Sequence, residues 1–265
     1  MPQTVLLSVD ERGVATLTLN RPDKHNAFDS ETLQALAGHL RTLDADAAVR
    51  AIVLTGSGKT FCSGADLDSM RALGSASEAD NLSEAMRLAE VLAQLAAMGK
   101  PTLARIQGNA FGGGVGLVAC CDIAIAADTA RFALTEVRLG LVPAAISPYV
   151  VAAIGARQAR RYALTGERIE AAEARRIGLV HEVVAPEALD GTVSRVIEEI
   201  LKGGPQAQRE CKELIREVNA ALGAPDADVR RSTARRLARL RVSEEGQEGM
   251  GAFLQKRPPR WTLPT

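Results

Sequence analysis

Aromatic residues and net charge are both scarce in this sequence. Phe, Trp and Tyr together make up 3% of the 265 residues, and the 32 basic residues balance the 32 acidic ones. Balanced charge argues against bulk electrostatic binding of nucleic acid or of an anionic membrane. The composition therefore predicts neither a nucleic acid nor a membrane surface as partner.

Long apolar segments and metal-ligand patterns are absent too. No apolar run approaches the ~20 residues of a membrane-spanning helix, and Met1–Asp10 lacks the basic start and apolar run of a signal peptide. The adjacent pair Cys120 and Cys121 lies in an apolar run typical of small core residues. We expect a cytoplasmic protein with no metal site. The cysteines, which show no metal-ligand spacing, are Cys62, Cys120, Cys121 and Cys211.

The hydrophobic content, at 46% of the chain, is high enough for a sizeable core. Short apolar or alternating runs typical of strands are separated by segments with helical periodicity. Strands that alternate with helices predict an α/β fold. The predicted strands span residues 5–9, 14–19, 49–54, 103–106, 123–127, 132–134 and 179–184, and the predicted helices span residues 30–43, 82–98, 146–154, 156–165 and 171–176.

Particular residues predict where helices begin and end. Ser30 starts an apolar helical pattern and is interpreted as its capping residue. From Leu189 onward the pattern is helical, with interruptions at residues 203–205 and 223–225. We interpret the part beyond residue 200 as an appendage or an oligomer interface.

A glycine-rich run over residues 108–116 is the most informative stretch, with five glycines in nine positions. Such a backbone turns sharply and lets another molecule approach closely. Where a helix then begins, its free N–H groups hold developing negative charge. Residues 114–119 also fit a dinucleotide-binding fingerprint, although the spacing to Asp122 is short for the crossover helix of that fold. A tight turn without a ligand is the third interpretation.

A second loop and one acidic residue complete the candidate site. Phe61–Leu67 follows the predicted strand 49–54 and, like residues 112–116, can present backbone N–H groups at a strand end. Two N–H donors aimed at one oxygen form an oxyanion hole. Glu136 stands alone in an apolar run, where a carboxylate can have a raised pKa and act as an acid or base. An ion pair with Arg138 or another arginine is the structural alternative for Glu136.

Together these motifs resemble the crotonase (enoyl-CoA hydratase/isomerase) superfamily over nearly the whole chain. The resemblance implies a crotonase (ClpP/crotonase-like) spiral fold with a C-terminal helical region. The spiral core would span residues 1–200, and residues 201–265 would form trimers, or hexamers built from two trimers. The matching stretches are Asn20–Pro22 with Asn26–Ala27, Phe61–Leu67, Gly108–Asp122, Glu136–Pro143, Leu164–Gly166, Ala171–Ala174, Gly178–His181 and Glu248–Phe253.

The resemblance also implies roles for single residues. By position, Ala65 and Gly113 match the residues whose N–H groups bind the thioester oxygen, and Glu136 matches the second of two glutamates in the hydratases. The partner is then an acyl-CoA thioester, with coenzyme A as part of the substrate and no separate cofactor. Asp66 can equally cap the helix that follows it. The residues expected to contact the substrate are Lys24, Ala27, Ala65, Asp66, Leu67, Asp68, Gly113, Phe253 and Lys256.

Position 116 departs from the hydratase pattern. Hydratases of the family commonly carry their first glutamate where this chain has Gly116. The leading hypothesis is still an enoyl-CoA hydratase, a lyase that adds water to an α,β-unsaturated acyl-CoA with Glu136 handling proton and water. The alternatives are a Δ3,Δ2-enoyl-CoA isomerase with Glu136 as single base, and a non-catalytic acyl-CoA-binding protein. Carboxylates that could replace the missing one are Asp80, Glu84 and Glu90.

The local sequence also suggests an acyl group. Residues 112–119 and 136–148, with Ile146-Ser-Pro148 in place of the common Gly-Gly-Thr, resemble a bacterial branch described as methylglutaconyl-CoA or carboxygeranoyl-CoA hydratase-like. This branch implies a branched or carboxylated acyl group from leucine or acyclic-terpene breakdown. A distal carboxylate needs a cation, for which Arg138 and Arg71 are candidates.

An arginine-rich stretch over residues 230–241 lies in the helical C-terminal part. Its spacing is typical of a solvated or intersubunit helix face. Contact with a coenzyme A phosphate is the alternative.

Overall fold

The computed structural model describes residues 3–221 and 227–262. The chain divides into two compact units. The first comprises Met1–Met98 and Thr102–Ser194, and the second comprises Gly99–Pro101 and Arg195–Thr265. The division after Ser194 and the boundary expected at residue 200 both fall inside one helix, Leu189–Lys202.

A six-stranded sheet lies in the first unit. Its strand order is β1-β2-β3-β5-β7-β10, in which β1 and β2 pair antiparallel and the other neighbours pair parallel. Parallel neighbours need crossover connections, and here helices supply them. The strands are β1 (Val5–Val9), β2 (Val14–Leu19), β3 (Ala51–Gly56), β5 (Thr102–Ile106), β7 (Ile123–Ala127) and β10 (Glu182–Val184).

A four-stranded sheet in the same unit has the order β4-β6-β8-β9. β4, β6 and β8 are parallel, and β9 is antiparallel to β8. Because parallel strands end at one edge of a sheet, the segments that follow β4, β6 and β8 lie side by side. The strands are β4 (Thr60–Cys62), β6 (Asn109–Phe111), β8 (Arg131–Ala133) and β9 (Ile169–Glu170).

Helices pack on these strands around a core of Leu, Val, Ile, Ala and Phe side chains. The helix α4 (Gly113–Cys120) is the most enclosed, because every residue in it except Ala119 is buried. The other helices of the first unit are α1 (Ser30–Ala45), α2 (Leu67–Gly74), α3 (Glu78–Ala97), α5 (Ser147–Thr165) and α6 (Ala171–Arg176), followed by α7 (Leu189–Lys202).

The second unit contains the helices α8 (Pro205–Ala220), α9 (Ala227–Val242) and α10 (Glu244–Leu254). Arg236 of the arginine-rich stretch lies against α8 and pairs with Glu210, Glu213 and Glu217. That part of the stretch therefore stabilises contact between two helices of the chain itself. No helix in the described ranges is long and apolar enough to cross a membrane.

The predicted α/β class is confirmed. The two helices expected on either side of Gly155 are one element, α5, with a kink at that glycine, whose φ of 72° and ψ of 154° are not helical. The interruption expected at residues 203–205 separates α7 from α8. The one expected at residues 223–225 lies outside the described residues.

The capping residue of α1 is Asp29 rather than Ser30, so that prediction is wrong. The Asp29 side chain accepts a hydrogen bond from the Thr32 amide at 2.9 Å. Ser30 is the first residue of the helix, and its hydroxyl donates to Glu84 instead. Either residue type suits an N-cap, so the pattern alone places the cap one residue too late.

The strand predicted over residues 179–184 is shorter than expected and begins at Glu182. The amides of Leu179 and Val180 donate to the carbonyl oxygen of Ala174, which belongs to the preceding helix. Donors that close a helix end cannot also pair with a neighbouring strand. The apolar run therefore contains a helix end before the strand.

Candidate active site

Two loops meet at the edge where β4 and β6 end. The first, residues 63–66, leads from β4 into α2, and the second turns at Gly112 from β6 into α4. A Cβ atom at Gly64 would lie 2.9 Å from the Phe111 oxygen and 3.4 Å from the Gly113 nitrogen. The first loop therefore packs directly on the start of α4, as its glycine permits.

The first loop leaves the N–H group of Ala65 without a hydrogen-bond acceptor among the described residues. Ala65 forms a parallel bridge with Phe28: the Phe28 amide donates to the Gly64 oxygen, and the Asp66 amide donates to the Phe28 oxygen, each at 2.9 Å. In an extended segment successive amides point to opposite sides. The Ala65 N–H group therefore faces away from Phe28.

The second loop leaves the Gly113 N–H group unpaired as well, within the described ranges. Gly112 precedes the helix with φ 50° and ψ −122°, a conformation open to glycine, and it has no side chain with which to cap α4. Its own amide donates to the Ala133 oxygen at 2.9 Å, which fixes the turn to β8. The result is a bare helix N-terminus beside the Ala65 loop.

Close packing explains why residues 113 and 114 are glycines. A Cβ atom at Gly113 would overlap Cζ of Phe28 and lie 2.8 Å from its Cε1. A Cβ atom at Gly114 would overlap the carbonyl oxygen of Cys62. Phe28 and the end of β4 thus occupy the space of the absent side chains and position the two loops.

Glu136 begins the 3₁₀ turn Glu136–Leu139 just after β8. Its carboxylate lies over Gly112, where a Cβ atom would be 3.1 Å from Oε1. Its Oε2 is buried and has no hydrogen-bond partner in the part of the chain that the structure describes. Burial raises the pKa of Glu136, and a hydrogen bond from its own amide only partly opposes that rise.

The alternative ion pair of Glu136 with Arg138 or another arginine is absent from the described residues. The Arg138 side chain packs instead over Gly166, where a Cβ atom would lie 3.0 Å from its Nε. Arg71, the other candidate cation, is exposed and pairs with Asp68 at 3.4 Å. Arg138 therefore retains the more available positive charge of the two.

Position 116 has no room for a side chain. A Cβ atom at Gly116 would overlap Cγ2 of Ile146, lie 2.9 Å from its Cβ and lie 3.4 Å from Cδ2 of Leu92. Ile146 is 2% exposed and also lines an apolar cavity of about 300 Å³ beside α5. The side of α4 at position 116, where the resemblance implied the first glutamate of hydratases, is apolar in this protein.

The carboxylates considered as substitutes have other surroundings. Asp80 forms a capping box with Ser77 at the start of α3. Glu84 accepts from Ser30 and pairs with Arg87 at 2.9 Å. Glu90 is exposed. Glu136 is therefore the acid that the structure places against the glycine turn.

Asp66 is the N-cap of α2, and the cap predicted as its alternative role is confirmed. Its carboxylate accepts from the amides of Asp68 at 2.8 Å and Ser69 at 3.2 Å, and pairs with Arg21 at 2.9 Å. Burial alone would raise the pKa of Asp66, but these amides and Arg21 hold it below its ordinary value. Its expected substrate contact stays a prediction.

The segment before α1 supports the same loops. Buried Asn26, with φ 54°, donates from Nδ2 to the oxygens of Ser57 and Thr60 at 2.8 and 2.6 Å. Ala27 is buried, and its oxygen accepts from Arg21 at 2.6 Å. Lys24 pairs with Asp68 on the surface at 2.9 Å.

The remaining residues with predicted substrate contacts are well exposed. Leu67, at the start of α2, is 74% exposed. Phe253 and Lys256 belong to the second unit, where Phe253 is 83% exposed and Lys256 has φ 51°. Their predicted contacts with coenzyme A stay predictions.

Sequence reasoning missed the structural parts played by Phe28, Leu92 and Ile146. Each lies far along the chain from the glycine that it contacts. The available signal was the glycine run itself, because absent side chains in a packed core imply neighbours that fill their space.

Comparison with known proteins agrees with this geometry. Residues 10–264 match the sequence model of a family described as Enoyl-CoA hydratase/isomerase. A Thermus thermophilus protein named as an enoyl-CoA hydratase is 35% identical over 256 residues, which cover 97% of this chain and 100% of that protein.

Two solved structures are similar over almost the whole chain. One, from Legionella pneumophila and described as an enoyl-CoA hydratase/isomerase (crotonase), has 41% identity and a TM-score of 0.92, covering 98% of this chain and 100% of that one. Pseudomonas aeruginosa AtuE has 36% identity and a TM-score of 0.93, with the same coverage of 98% and 100%. The crotonase-like fold predicted from the sequence is confirmed.

Proposed function

Because the chain belongs to the enoyl-CoA hydratase/isomerase family, we propose that it is an enoyl-CoA hydratase, which adds water to an α,β-unsaturated acyl-CoA thioester. One observation carries the proposal. The carboxylate of Glu136 lies over Gly112, the residue before the unpaired N–H group of Gly113, and the loop that bears Ala65 packs on the same start of α4. An acid next to two free donors suits a reaction in which a thioester carbonyl gains negative charge.

In this proposal the amides of Ala65 and Gly113 donate to the thioester oxygen. Addition of water to carbon 3 leaves an enolate-like species whose negative charge rests on that oxygen. Preformed donors stabilise such charge because they need no reorganisation, and each is worth about 2.7–4 kcal/mol in comparable enzymes. The start of α4 adds the positive end of a helix dipole.

Glu136 would serve as both base and acid. Its carboxylate takes a proton from water while the water oxygen bonds to carbon 3, and the carbon–carbon π electrons move toward the thioester oxygen. The same carboxyl group then returns the proton to carbon 2, so that one water molecule is added in full. The raised pKa of Glu136 supports both steps, because a group that titrates closer to neutrality exchanges protons more readily.

The proposed substrate contacts follow the resemblance by position. Lys24, Ala27 and residues 65–68 would line the coenzyme A channel, with Phe253 and Lys256 near its nucleotide end. A branched or carboxylated acyl group such as that of methylglutaconyl-CoA, an intermediate of leucine degradation, is proposed as the substrate. We further propose a cytoplasmic homotrimer, or a hexamer of two trimers, which light scattering would test against the 28.0 kDa chain mass.

The variant Glu136→Gln tests the reaction assignment. It should bind acyl-CoA nearly as the wild type does and lose ~10²–10⁴-fold in kcat, because the amide cannot accept or return the proton. The exposed Glu11→Gln serves as the matched control and should keep full activity. Undiminished turnover by Glu136→Gln would refute the role of Glu136. Calorimetric binding of coenzyme A thioesters by a wild type that turns over no enoyl-CoA would instead support a non-catalytic binding protein.

A Δ3,Δ2-enoyl-CoA isomerase is the second candidate, and the apolar packing at Gly116 favours it. A single carboxylate can move a proton between carbons 4 and 2 without any water being added. Incubation of a 3-enoyl-CoA in deuterated water separates the two reactions. A 2-enoyl product that gains no hydroxyl group supports the isomerase, whereas a 3-enoyl-CoA left unchanged, together with a 3-hydroxyacyl product from the matching 2-enoyl-CoA, supports the hydratase.

A further inference from the structure

The segment from Glu136 to Ile146 lies alongside the first two turns of α4. Glu136 contacts the helix at Gly112, and Ile146 contacts it at Gly116. The Gly116 amide donates to the Gly112 oxygen at 3.4 Å, so these two glycines are one turn apart. The acid and the isoleucine therefore cover neighbouring positions on one helix.

Positions 116 and 146 compete for the same space. Ile146 is buried, and its β-branched side chain has little rotamer freedom with which to move aside. A side chain at 116 would overlap Cγ2 of Ile146 and also meet Leu92. The fold accommodates a side chain at one of the two positions and requires a small residue at the other.

We propose that Ile146 is a specificity-determining residue that restricts the site to one acid–base group. It fills the place of any second acid on α4 and makes the wall one turn beyond the Glu136 contact apolar. This inference rests on the proposed function, because it specifies how the reaction at Glu136 is limited.

The chemical consequence is that every proton passes through Glu136. No second carboxylate shares in activating water or in protonating carbon 2, so one carboxyl ionisation governs the rate. A substituent on the acyl chain would meet the methyl groups of Ile146 rather than an acid. Replacing Ile146 by glycine and Gly116 by glutamate should convert the site to a two-acid site.

A four-member set tests the steric part: the wild type, Gly116→Glu, Ile146→Gly and the double variant. Gly116→Glu alone should have a melting temperature several degrees below that of the wild type. The double variant should recover at least half of that decrease in melting temperature. Gly116→Ala should also lower the melting temperature, which separates the clash from the burial of a charge. Gly38→Glu is the matched control, because Gly38 is helical and nothing lies within 4 Å of its missing Cβ.

The pH dependence of kcat/KM tests the chemical part, since loss of packing alone would not add a titrating group. The wild type should show one carboxyl ionisation, and the double variant should show two with at least a tenfold higher rate of hydration of an unbranched 2-enoyl-CoA. The steric conflict between positions 116 and 146 is overturned if Gly116→Glu and the wild type have equal melting temperatures. It is also overturned if the melting temperature of the double variant does not rise above that of Gly116→Glu. A double variant with the wild-type pH profile overturns the specificity role.

The outcomes separate this inference from the proposed function. A wild type without turnover on any enoyl-CoA overturns the function and with it the role of Ile146 in catalysis. The melting temperatures are measured without substrate, so they test the steric conflict in either case.

Discussion

Arg21 and Asp66 form an ion pair of 2.9 Å that joins the segment before α1 to the loop carrying Ala65. Both side chains are largely buried, with 18% and 5% exposure. Asp66 also caps α2, and Arg21 also contacts Asp29 and the Ala27 oxygen. The position of the Ala65 amide therefore depends on a charge pair outside the proposed reaction.

Asp66→Asn should lower the free energy of unfolding by about 2 kcal/mol at pH 7, because asparagine keeps the cap but leaves the Arg21 charge less compensated. The folded pKa of Asp66 is depressed. Its contribution is therefore present above the unfolded pKa and is lost as the pH falls through the folded pKa. Urea unfolding should show a difference in the free energy of unfolding between the wild type and Asp66→Asn at pH 7, and this difference should be smaller at pH 3. The control Asp23→Asn, at an exposed position, should change stability by less than about 0.5 kcal/mol. A destabilisation by Asp66→Asn that does not vary with pH would contradict this account.

Glu136→Gln should be more stable than the wild type at pH 8. The raised pKa means that folded Glu136 binds more protons than unfolded Glu136 between the two pKa values. Wild-type stability therefore falls as the pH rises through that window, and the amide removes this loss. Thermal unfolding should give a higher melting temperature for the variant than for the wild type at pH 8. The difference between the two melting temperatures should be smaller at pH 4. A variant less stable than the wild type at pH 8 would rule out a burial penalty at Glu136.

Gly113→Ala should destabilise the protein by about 2 kcal/mol, because its methyl group would overlap the Phe28 ring. Phe28→Leu makes room, so the double variant should be more stable than the sum of the two single effects predicts. Gly38→Ala, where no atom lies close, should instead stabilise α1 by roughly 0.5–1 kcal/mol. Strict additivity in a denaturant double-mutant cycle would show that Phe28 and Gly113 do not share the space.

Arg138→Ala should lower kcat/KM about 10–100-fold for an enoyl-CoA with a distal carboxylate and less than threefold for a plain one, because a charge-assisted contact is lost. Stability should stay within about 0.5 kcal/mol, since the Arg138 side chain is exposed and forms no ion pair in the described residues. Arg71→Ala, which removes an exposed pair with Asp68, should not distinguish the two substrates. Equal losses on both substrates would exclude Arg138 as the carboxylate-binding residue.

The sequence predicts the elements that local pattern can encode. The glycine run predicted a sharp turn that could expose helix N–H groups if a helix followed, and α4 begins at Gly113. The isolated glutamate indicated a carboxylate whose pKa can be raised, and burial does raise the pKa of half-buried Glu136, whose Oε2 has no hydrogen-bond partner among the described residues. Local apolar periodicity likewise gave the core strands of the six-stranded sheet within a few residues of their ends.

What the sequence did not predict depends on contacts distant along the chain. β4 and β6 are three residues each, too short to show alternation, yet they bring the two loops together. The exclusion of a side chain at 116 by Ile146 spans 30 positions and follows from packing alone. Asp29 rather than Ser30 is the cap because its carboxylate accepts hydrogen bonds from both the amide and the hydroxyl of Thr32.

Three of the eight residues of α4 are glycines, each of which weakens a helix by about 1 kcal/mol relative to alanine. So short a helix has no independent stability in water and forms only when its neighbours enclose it. The position of the Gly113 amide therefore depends on the neighbours that bury α4. In the proposed function, thioester binding would therefore require the assembled fold and not α4 alone.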